Sequence, residues 1–272
     1  MSSPAYHITI QLTDNKKAAA EHKNLVSQLS KDYNYTISRT KDDIANIVFA
    51  SGCGLSLPRL PEPVIVLPWT PTNGIELTYL KDIYADLKIR TIMFPGSSEA
   101  PYEGASESKF FYNGSLLVLG TNKETAHRMR LLLNDIYTSY GLEPPHIIKL
   151  HPLYSYLDCA MLEVNQDTCI VQKNALLLKD VAKLKKHMTV HVIDDEDKYC
   201  LNSIVDGDNL ITHPLNPQTR AMLQQLTKKK IIECDVSEFE KAGGSVRCLV
   251  LDVYDPRFVK KKRHGSAPGS PK

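Results

Sequence analysis

The chain has 272 residues, of which 42% are hydrophobic and 24% are charged. This composition is that of a globular protein with enough apolar material for one large domain or two smaller ones. Its 33 basic and 31 acidic residues give a formal net charge of +2. The composition therefore gives no general case for binding to nucleic acid or to an anionic membrane.

Apolar runs and cysteines indicate the compartment. Runs such as Leu116 to Leu119 are too short to span a bilayer, and the N-terminal MSSPAYHITIQL lacks the basic start and apolar block of a signal peptide. The six cysteines form no CxxC pair, which argues against a disulfide framework or a zinc site. We therefore expect a cytoplasmic protein with reduced thiols, no metal and no cofactor.

Strand and helix patterns alternate along the chain. The first unit has a strand at 6–12, a helix at 16–29 and short strands at 35–38 and 47–50. The glycine-containing turn 51–54 follows, and the second unit has a strand at 64–67, a helix at about 75–87 and a strand at 90–94. The later predicted elements are strands at 116–119, 147–150, 157–162, 168–172, 190–193, 201–205, 210–213 and 231–234, and helices at 123–140, about 176–187 and 217–227.

The unit of strand, helix and strand recurs about five times, at spacings of roughly 40 to 50 residues, which is typical of radial or solenoid arrays. A last strand at 248–253 has no helix after it, so we expect it to return beside the first unit and close a ring. The alternative is a doubly wound α/β sheet, which alternation alone favours. No GxGxxG or Walker-type loop follows any strand, so that fold's nucleotide function has no residues to support it.

Two segments stand apart from the repeating units. The long polar loop at 95–108 carries Glu99, Glu103 and Glu107, and its length is typical of functional or disordered segments. The basic tail at 256–272 contains KKKR followed by Gly, Ser and Pro, and we expect it to be disordered. Its charge run is either a solvated segment or a nuclear address or contact for acidic partners. The predicted organisation is a single domain at 1–255 followed by this tail.

The stretch from Ser237 to Val253 contains the strongest candidate for chemistry. A Gly243-Gly244 turn lets the backbone pass close to a ligand, and Cys248 stands where the following strand would fix its sulfur. Cys248 is therefore a candidate nucleophile. The alternative is a buried core residue, because Cys is among the most frequently buried residue types.

Four segments together resemble the amidinotransferase and dimethylargininase superfamily. SEFEKAGGSVRCLVL is similar to the segment around the nucleophilic cysteine of that family, and YEGASESKFFYNGSLLVLG to its Glu-Gly-x-Gly-Asp motif. VFASGCGLSL resembles its substrate-lining turn, and CLNSIV the segment before its fifth blade. The likeness covers nearly all of residues 1–255 and implies an α/β fold, a five-bladed ββαβ propeller called a pentein. It further implies that Cys248 is the nucleophile, that Glu103 orients the catalytic histidine, and that Glu107, Gly52, Asn202 and Asp158 stand at substrate-binding positions.

The chain departs from the family pattern at the catalytic histidine. The family's His-Leu-Asp motif matches Tyr156-Leu157-Asp158, so tyrosine stands at the histidine position. A phenol with a pKa near 10 is a poor proton shuttle at neutral pH, and losing a general acid/base costs about 10² to 10⁴ in rate. Gly52 and Asn46 also replace expected residues. His151 is a substitute base only if an irregular backbone before Tyr156 carries it into the site.

Three functions follow from these residues. The first is a degenerate pseudoenzyme that keeps a pocket for an arginine-like guanidine and works as a binding or scaffold subunit with a protein partner. The second is an active Cys-dependent hydrolase or amidinotransferase with an unrecognised base. The third is an interaction protein recruited through its basic tail.

Overall fold

The computed structural model describes residues 4–12, 15–37, 46–70, 74–153 and 156–258. Their strands form five separate three-stranded sheets, each with an antiparallel pair followed by a parallel pair. In each sheet a helix connects the two parallel strands, as a parallel pair requires. Each sheet with its helix is one blade of a propeller, and the doubly wound alternative is wrong because the strands do not join into one sheet.

The second to fifth blades follow the chain order strand, strand, helix, strand. Their strands are β3 Leu55–Ser56, β4 Val64–Leu67 and β5 Arg90–Met93; β6 Ser108–Phe111, β7 Leu116–Gly120 and β8 His146–Leu150; β9 Met161–Asn165, β10 Thr168–Gln172 and β11 Thr189–Ile193; and β12 Ile204–Asp206, β13 Asn209–Thr212 and β14 Lys230–Glu233. The middle strands β4 and β7 are buried along their whole length, which explains their continuous apolar sequences.

The first blade is completed by the end of the chain. Strand β1 at Tyr6–Leu12 runs parallel to β2 at Asp32–Ile37 and antiparallel to β15 at Leu251–Val253, with Tyr6 opposite Val253. The predicted return of the last strand to the first unit is therefore confirmed. This closure pairs both edges of β1 and leaves the ring without an open seam.

The helices begin at local signals in the sequence. Asn15 accepts hydrogen bonds from the amides of Lys17 and Ala18 at the start of α1, and Asn216 caps α6 ahead of Pro217 in the first turn. The helices are α1 Lys16–Gln28, α2 Gly74–Asp86, α3 Lys123–Ser139, α4 Leu157–Ala160, α5 Leu178–Leu184, α6 Pro217–Thr227 and α7 Ser237–Glu240. Among the described residues, no helix is long and apolar enough to cross a membrane.

Four predicted strands differ from the structure. The segments 46–48 and Ala50–Cys53 form 3₁₀ turns, and the predicted strand at 157–162 begins as helix α4. The predicted strand at 201–205 begins only at Ile204. The predicted strand at 248–253 starts as a 3₁₀ turn at Val246–Leu249. In each case the chain bends where it reaches the centre of the ring, and apolar composition there reflects burial rather than extension.

Two inner strands had no clear signal. The two-residue strand β3 is shorter than any usable pattern, and β6 reads Ser-Lys-Phe-Phe without alternation although all four residues are buried. The segment predicted as a loop at 95–108 contains a 3₁₀ turn at Gly104–Ser106 and leads directly into β6.

The chain beyond the predicted boundary at 255 continues to pack on the first blade. A 3₁₀ turn at Pro256–Phe258 brings the Phe258 ring edge-on to Tyr6, with ring centroids 5.3 Å apart. The remaining tail, with its predicted disorder and charge run, lies outside the described residues.

Candidate functional site

Cys248 lies at the wall of a cavity of about 370 Å³. It belongs to the 3₁₀ turn at Val246–Leu249, and only 7% of the residue is exposed. Gly244 lets the chain reach this position, because a Cβ there would stand 2.4 Å from the Phe49 ring and 3.1 Å from Cβ of Cys248. Phe49 also lines the cavity, so this close packing fixes the wall beside the thiol.

Beneath Cys248 lie two fully buried polar side chains, Asn202 and Asp158. Oδ1 of Asn202 accepts hydrogen bonds from the amides of Arg247 at 2.9 Å and Cys248 at 3.3 Å. Its Nδ2 lies 3.2 Å from the sulfur of Cys248. Oδ2 of Asp158 lies 3.6 Å from the same sulfur and accepts a hydrogen bond from Ser51 at 3.3 Å. The resemblance placed both Asn202 and Asp158 at substrate-binding positions. In this structure they contact the thiol from below and are not among the cavity-lining residues.

Two carboxylates line the cavity, Glu103 and Glu76. Burial and the neighbouring Glu103 raise the pKa of Glu76. Two acids that repel each other in a half-buried cavity are stabilised by a bound cation. Glu76 lies in the first turn of α2 and was not predicted as a site residue, because a glutamate at that position is a common helix feature.

Gly104 allows the loop of Glu103 to reach the site. Its φ is +63°, and a Cβ there would lie 2.6 Å from the carbonyl oxygen of Gly54. Because that neighbour is backbone, the contact cannot be relieved by a side-chain rotation. The glycine that follows Glu103 in the family-like motif is thus required by the geometry.

Tyr156 lines the same cavity as Cys248 and Glu103. It precedes α4, whose short helix holds Asp158 and Cys159. Burial raises the pKa of the Tyr156 phenol, and the carboxylates of Glu103, Glu107 and Asp158 raise it further. The phenol is therefore protonated at neutral pH and is a weak acid and a weaker base.

Glu107 turns back toward its own loop. Its Oε2 accepts a hydrogen bond from the amide of Glu103 at 2.9 Å, and Glu107 is not among the residues that line the cavity. Burial raises the pKa of Glu107 to about 7, with contributions from Glu103 and Asp158. The resemblance placed Glu107 at a substrate-binding position, and in this structure its carboxylate is bound to its own loop instead.

Gly52, which the resemblance placed at a substrate-binding position, lines the cavity, and so does Asn46, which precedes the family-like turn. A Cβ at Gly52 would be 4.0 Å from its nearest neighbour, the carbonyl oxygen of Glu103. The site has room for a side chain at position 52, so glycine there leaves part of the cavity unfilled.

His151 does not replace the missing histidine in this structure. Its Nδ1 lies 3.2 Å from Asp180, on the fourth blade, and 48% of its side chain is exposed. Of the described residues that line the cavity with Cys248, none is a histidine.

Buried cations lie behind the site. Lys109 and Arg247 are 7% and 6% exposed, and both line a second cavity of about 710 Å³. Burial and the charge of Arg247 lower the pKa of Lys109 to about 8. Burial raises the pKa of Asp158, and these two cations oppose that change. They thus favour the charged form of the carboxylate beneath Cys248. Sequence inspection did not identify either residue, because their nearness to Asp158 arises only from ring closure.

Three potential ligands for a soft metal ion also meet here. One ligand atom each from Asp158, Cys159 and Cys248 lie within 4.8 Å of one another. The predicted absence of a metal was based on sequence spacing, which does not reveal this group. It stays a prediction.

Comparison with known proteins places this geometry in context. No protein-family model matches the chain. The uncharacterised protein YkgA of Bacillus subtilis (strain 168) is 23% identical over 242 residues, which are 88% of this chain and 80% of that protein.

Solved structures share the fold at low sequence identity. ArgZ, an arginine dihydrolase from cyanobacteria, matches with a TM-score of 0.76 and 17% identity over 92% of this chain, which spans only 39% of that longer chain. The N-terminal domain of ArgZ bound to substrate matches with a TM-score of 0.74 and 15% identity, covering 91% of this chain and 97% of the domain. A dimethylarginine dimethylaminohydrolase adduct matches with a TM-score of 0.69 and 19% identity, covering 91% and 98%. The chain therefore has the five-bladed pentein fold that arginine dihydrolases and dimethylarginine dimethylaminohydrolase share.

Proposed function

We propose that this pentein binds an arginine-like guanidine in the cavity beside Cys248 and does not hydrolyse it at an enzymatic rate. The observation that carries the proposal is the composition of one wall: Cys248 and Glu103 share the cavity with Tyr156, where the resemblance places a histidine. The chain is in this view a pseudoenzyme with a binding role.

The carboxylates support a guanidinium ligand. A planar guanidinium donates parallel hydrogen bonds to carboxylates, and Glu76 and Glu103 line the same cavity. At about 370 Å³ the cavity is within the range of small-molecule sites. ArgZ, which shares the fold, is an arginine dihydrolase that has been solved with its substrate, and this supports the same ligand class.

The protonation of Tyr156 argues against hydrolysis. A thiolate that attacks the central guanidine carbon needs a group that removes its proton and then protonates the leaving amine. The pKa of Tyr156 is raised by burial and by three surrounding carboxylates. The phenol therefore neither accepts the thiol proton nor favours the thiolate by a positive charge, as an imidazolium does.

The test compares binding with turnover in four proteins. Calorimetry measures arginine and methylated-arginine binding, and a colorimetric assay measures citrulline and ornithine, for the unmodified chain, Cys248→Ala, Tyr156→His and Tyr156→Phe. We expect binding without turnover in the unmodified chain. Tyr156→His should gain at least about 10² in rate, whereas Tyr156→Phe should not, because only the imidazole restores proton transfer.

Turnover by the unmodified chain that disappears in Cys248→Ala would contradict the loss of hydrolysis. Absence of guanidine binding in all four folded proteins would contradict the binding role itself. A scaffold role would further require a protein partner, which an affinity pull-down with and without arginine would identify.

A second candidate is an active Cys-dependent hydrolase or amidinotransferase that uses a base other than Tyr156. Its support is that Cys248 and Glu103 line the same cavity. In that case the unmodified chain forms citrulline or ornithine, Cys248→Ala abolishes the turnover, and Tyr156→Phe keeps its rate.

A further inference from the structure

Cys159 and Cys248 bring two thiols together beside the cavity, with only Cys248 among its lining residues. Cys159 belongs to α4 and Cys248 to the 3₁₀ turn at Val246–Leu249, so they come from segments far apart in the chain. Nδ2 of Asn202 lies 3.4 Å from the sulfur of Cys159 and 3.2 Å from that of Cys248. The two sulfurs themselves lie within 4.8 Å of each other, with a carboxylate oxygen of Asp158 in the same group.

We propose that Cys159 and Cys248 form a reversible disulfide, so that the thiol pair is an oxidation site beneath the guanidine cavity. The pairing needs only the two sulfurs and a small oxidant, and it does not depend on whether the cavity binds arginine. A peroxide is the class of oxidant that fits, because hydrogen peroxide is small enough to enter a cavity of about 370 Å³.

The exposure of the two residues sets the order of events. Cys248 lines the cavity, whereas Cys159 is half-buried and is not among the lining residues. The peroxide therefore meets Cys248 first. The sulfur of Cys248 attacks one peroxide oxygen, an S–O bond forms, the O–O bond breaks, and the departing hydroxide takes up the thiol proton to give water.

Cys159 then resolves the sulfenic acid. As its proton passes to Asp158, the sulfur of Cys159 attacks the sulfur of Cys248, an S–S bond forms, the S–O bond breaks, and the departing hydroxide takes up that proton and becomes water. The balance is two thiols and one peroxide to one disulfide and two waters. The carboxylate of Asp158 lies in the same group and accepts the proton of Cys159.

To bond, the two sulfurs must approach from within 4.8 Å to about 2.05 Å, by rotation about χ1 and by shifts of the backbone that carries them. Each cysteine lies on a single helical turn of four residues, not within a sheet. Cys169, by contrast, is fully buried in the middle strand β10 and serves as a matched control.

The experiment treats the full chain with hydrogen peroxide and then blocks free thiols by alkylation. Peptide mass spectrometry, with and without dithiothreitol, identifies the products in the unmodified chain, Cys159→Ser, Cys248→Ser and Cys169→Ser. Thermal melting of each variant before oxidation confirms that it is folded, and Cys159→Ala replaces Cys159→Ser if the hydroxyl prevents folding.

We expect a peptide pair joined through Cys159 and Cys248 in the unmodified chain and in Cys169→Ser, and its absence from the other two variants. Dithiothreitol should release it. Without its resolving thiol, Cys159→Ser should accumulate irreversible sulfinic acid at Cys248 about tenfold more than the unmodified chain does. Three outcomes would overturn the proposal: equal sulfinic acid in both proteins, a cross-link to another cysteine, or a loss of free thiol that a metal chelator reverses and dithiothreitol does not.

Discussion

Asn202 contacts Cys248 from two directions: its Oδ1 accepts the Cys248 amide at 3.3 Å, and its Nδ2 lies 3.2 Å from the sulfur. Asn202 is fully buried, and the same Oδ1 accepts the amide of Arg247 at 2.9 Å. One side chain on the loop before β12 therefore fixes both the backbone and the thiol of the turn that closes the ring. In this structure Asn202 acts as a positioning residue.

Replacing Asn202 should destabilise the turn that carries Cys248. Asn202→Ala leaves the buried amides of Arg247 and Cys248 without their side-chain acceptor, and we expect the free energy of unfolding to fall by about 1–3 kcal/mol. Urea denaturation measures the change. The exposed Asn134 on α3 offers a control, since Asn134→Ala should change stability by no more than about 0.5 kcal/mol. An equal effect in both variants would argue against the positioning role.

Removing one cavity charge should weaken the binding of arginine. Glu103→Gln keeps the size of the side chain but removes the charge, and we expect the dissociation constant to rise at least about tenfold, which corresponds to about 1.4 kcal/mol. Calorimetry at low and moderate salt measures it. Glu99 lies exposed in the same polar segment, so Glu99→Gln should leave binding unchanged. A comparable loss in both would point to general attraction of a cation rather than a specific site.

A methyl group at Gly104 should destabilise the protein, because the loop that carries Gly104 packs against the backbone of Gly54. Gly104 and Gly207 both have positive φ, but a Cβ at Gly104 would contact the backbone of Gly54 at 2.6 Å, whereas a Cβ at Gly207 has nothing within 4 Å. We expect Gly207→Ala to cost about 1 kcal/mol from backbone strain alone and Gly104→Ala to cost about 3 kcal/mol or more. Chemical denaturation of both variants checks this difference. An equal loss of stability in the two variants would mean that the segments around Gly104 and Gly54 move apart without a large loss of free energy.

Acid should destabilise the protein through His22. This residue of α1 is fully buried, neither ring nitrogen has a hydrogen-bond partner among the described residues, and burial lowers its pKa to about 4. Its unfolded-state pKa is near 6.5, so the unfolded chain takes up the proton first and stability falls as the pH drops from 6.5 toward 4. At pH 5.5 the loss is on the order of 1 kcal/mol.

His22→Leu separates this contribution from other titrating groups. The variant removes the ionisable ring but keeps an apolar side chain near Phe239. The gap, defined as the stability of the variant minus that of the unmodified chain, should therefore increase as the pH falls below 6.5. Thermal melts between pH 5 and 8 measure that gap. A gap that is constant over this range would show that His22 does not titrate as a buried neutral ring.

The helices that connect the parallel strands of each blade were predicted to within a few residues because their signals are local. The side chains of Asn15 and Asn216 accept hydrogen bonds from amides in the first turns of α1 and α6, and Pro217 stands in the first turn of α6. The inner strands were predicted poorly. Lys109 in β6 is a buried charged residue near Arg247 and Asp158. The apolar residues after Tyr156 enter a helical turn before β9 begins. Burial at the centre of the ring removes the alternation by which a strand is recognised.

Four features were already readable in the amino-acid sequence: the five repeating units, the return of the last strand to the first, the resemblance around Cys248 and the tyrosine at the histidine position. These features depend on local periodicity, on capping and on residue identity. The folded chain was needed to show that Glu76 joins Glu103 in the cavity, that Glu107 turns away from it, and that Cys159 and Asn202 meet beneath Cys248. The contact of Glu107 lies within its own loop, where a side-chain bond to a backbone amide leaves no signal in the sequence. The contacts of Glu76, Cys159 and Asn202 join segments from different blades, and no local pattern encodes them because they exist only once the ring has closed.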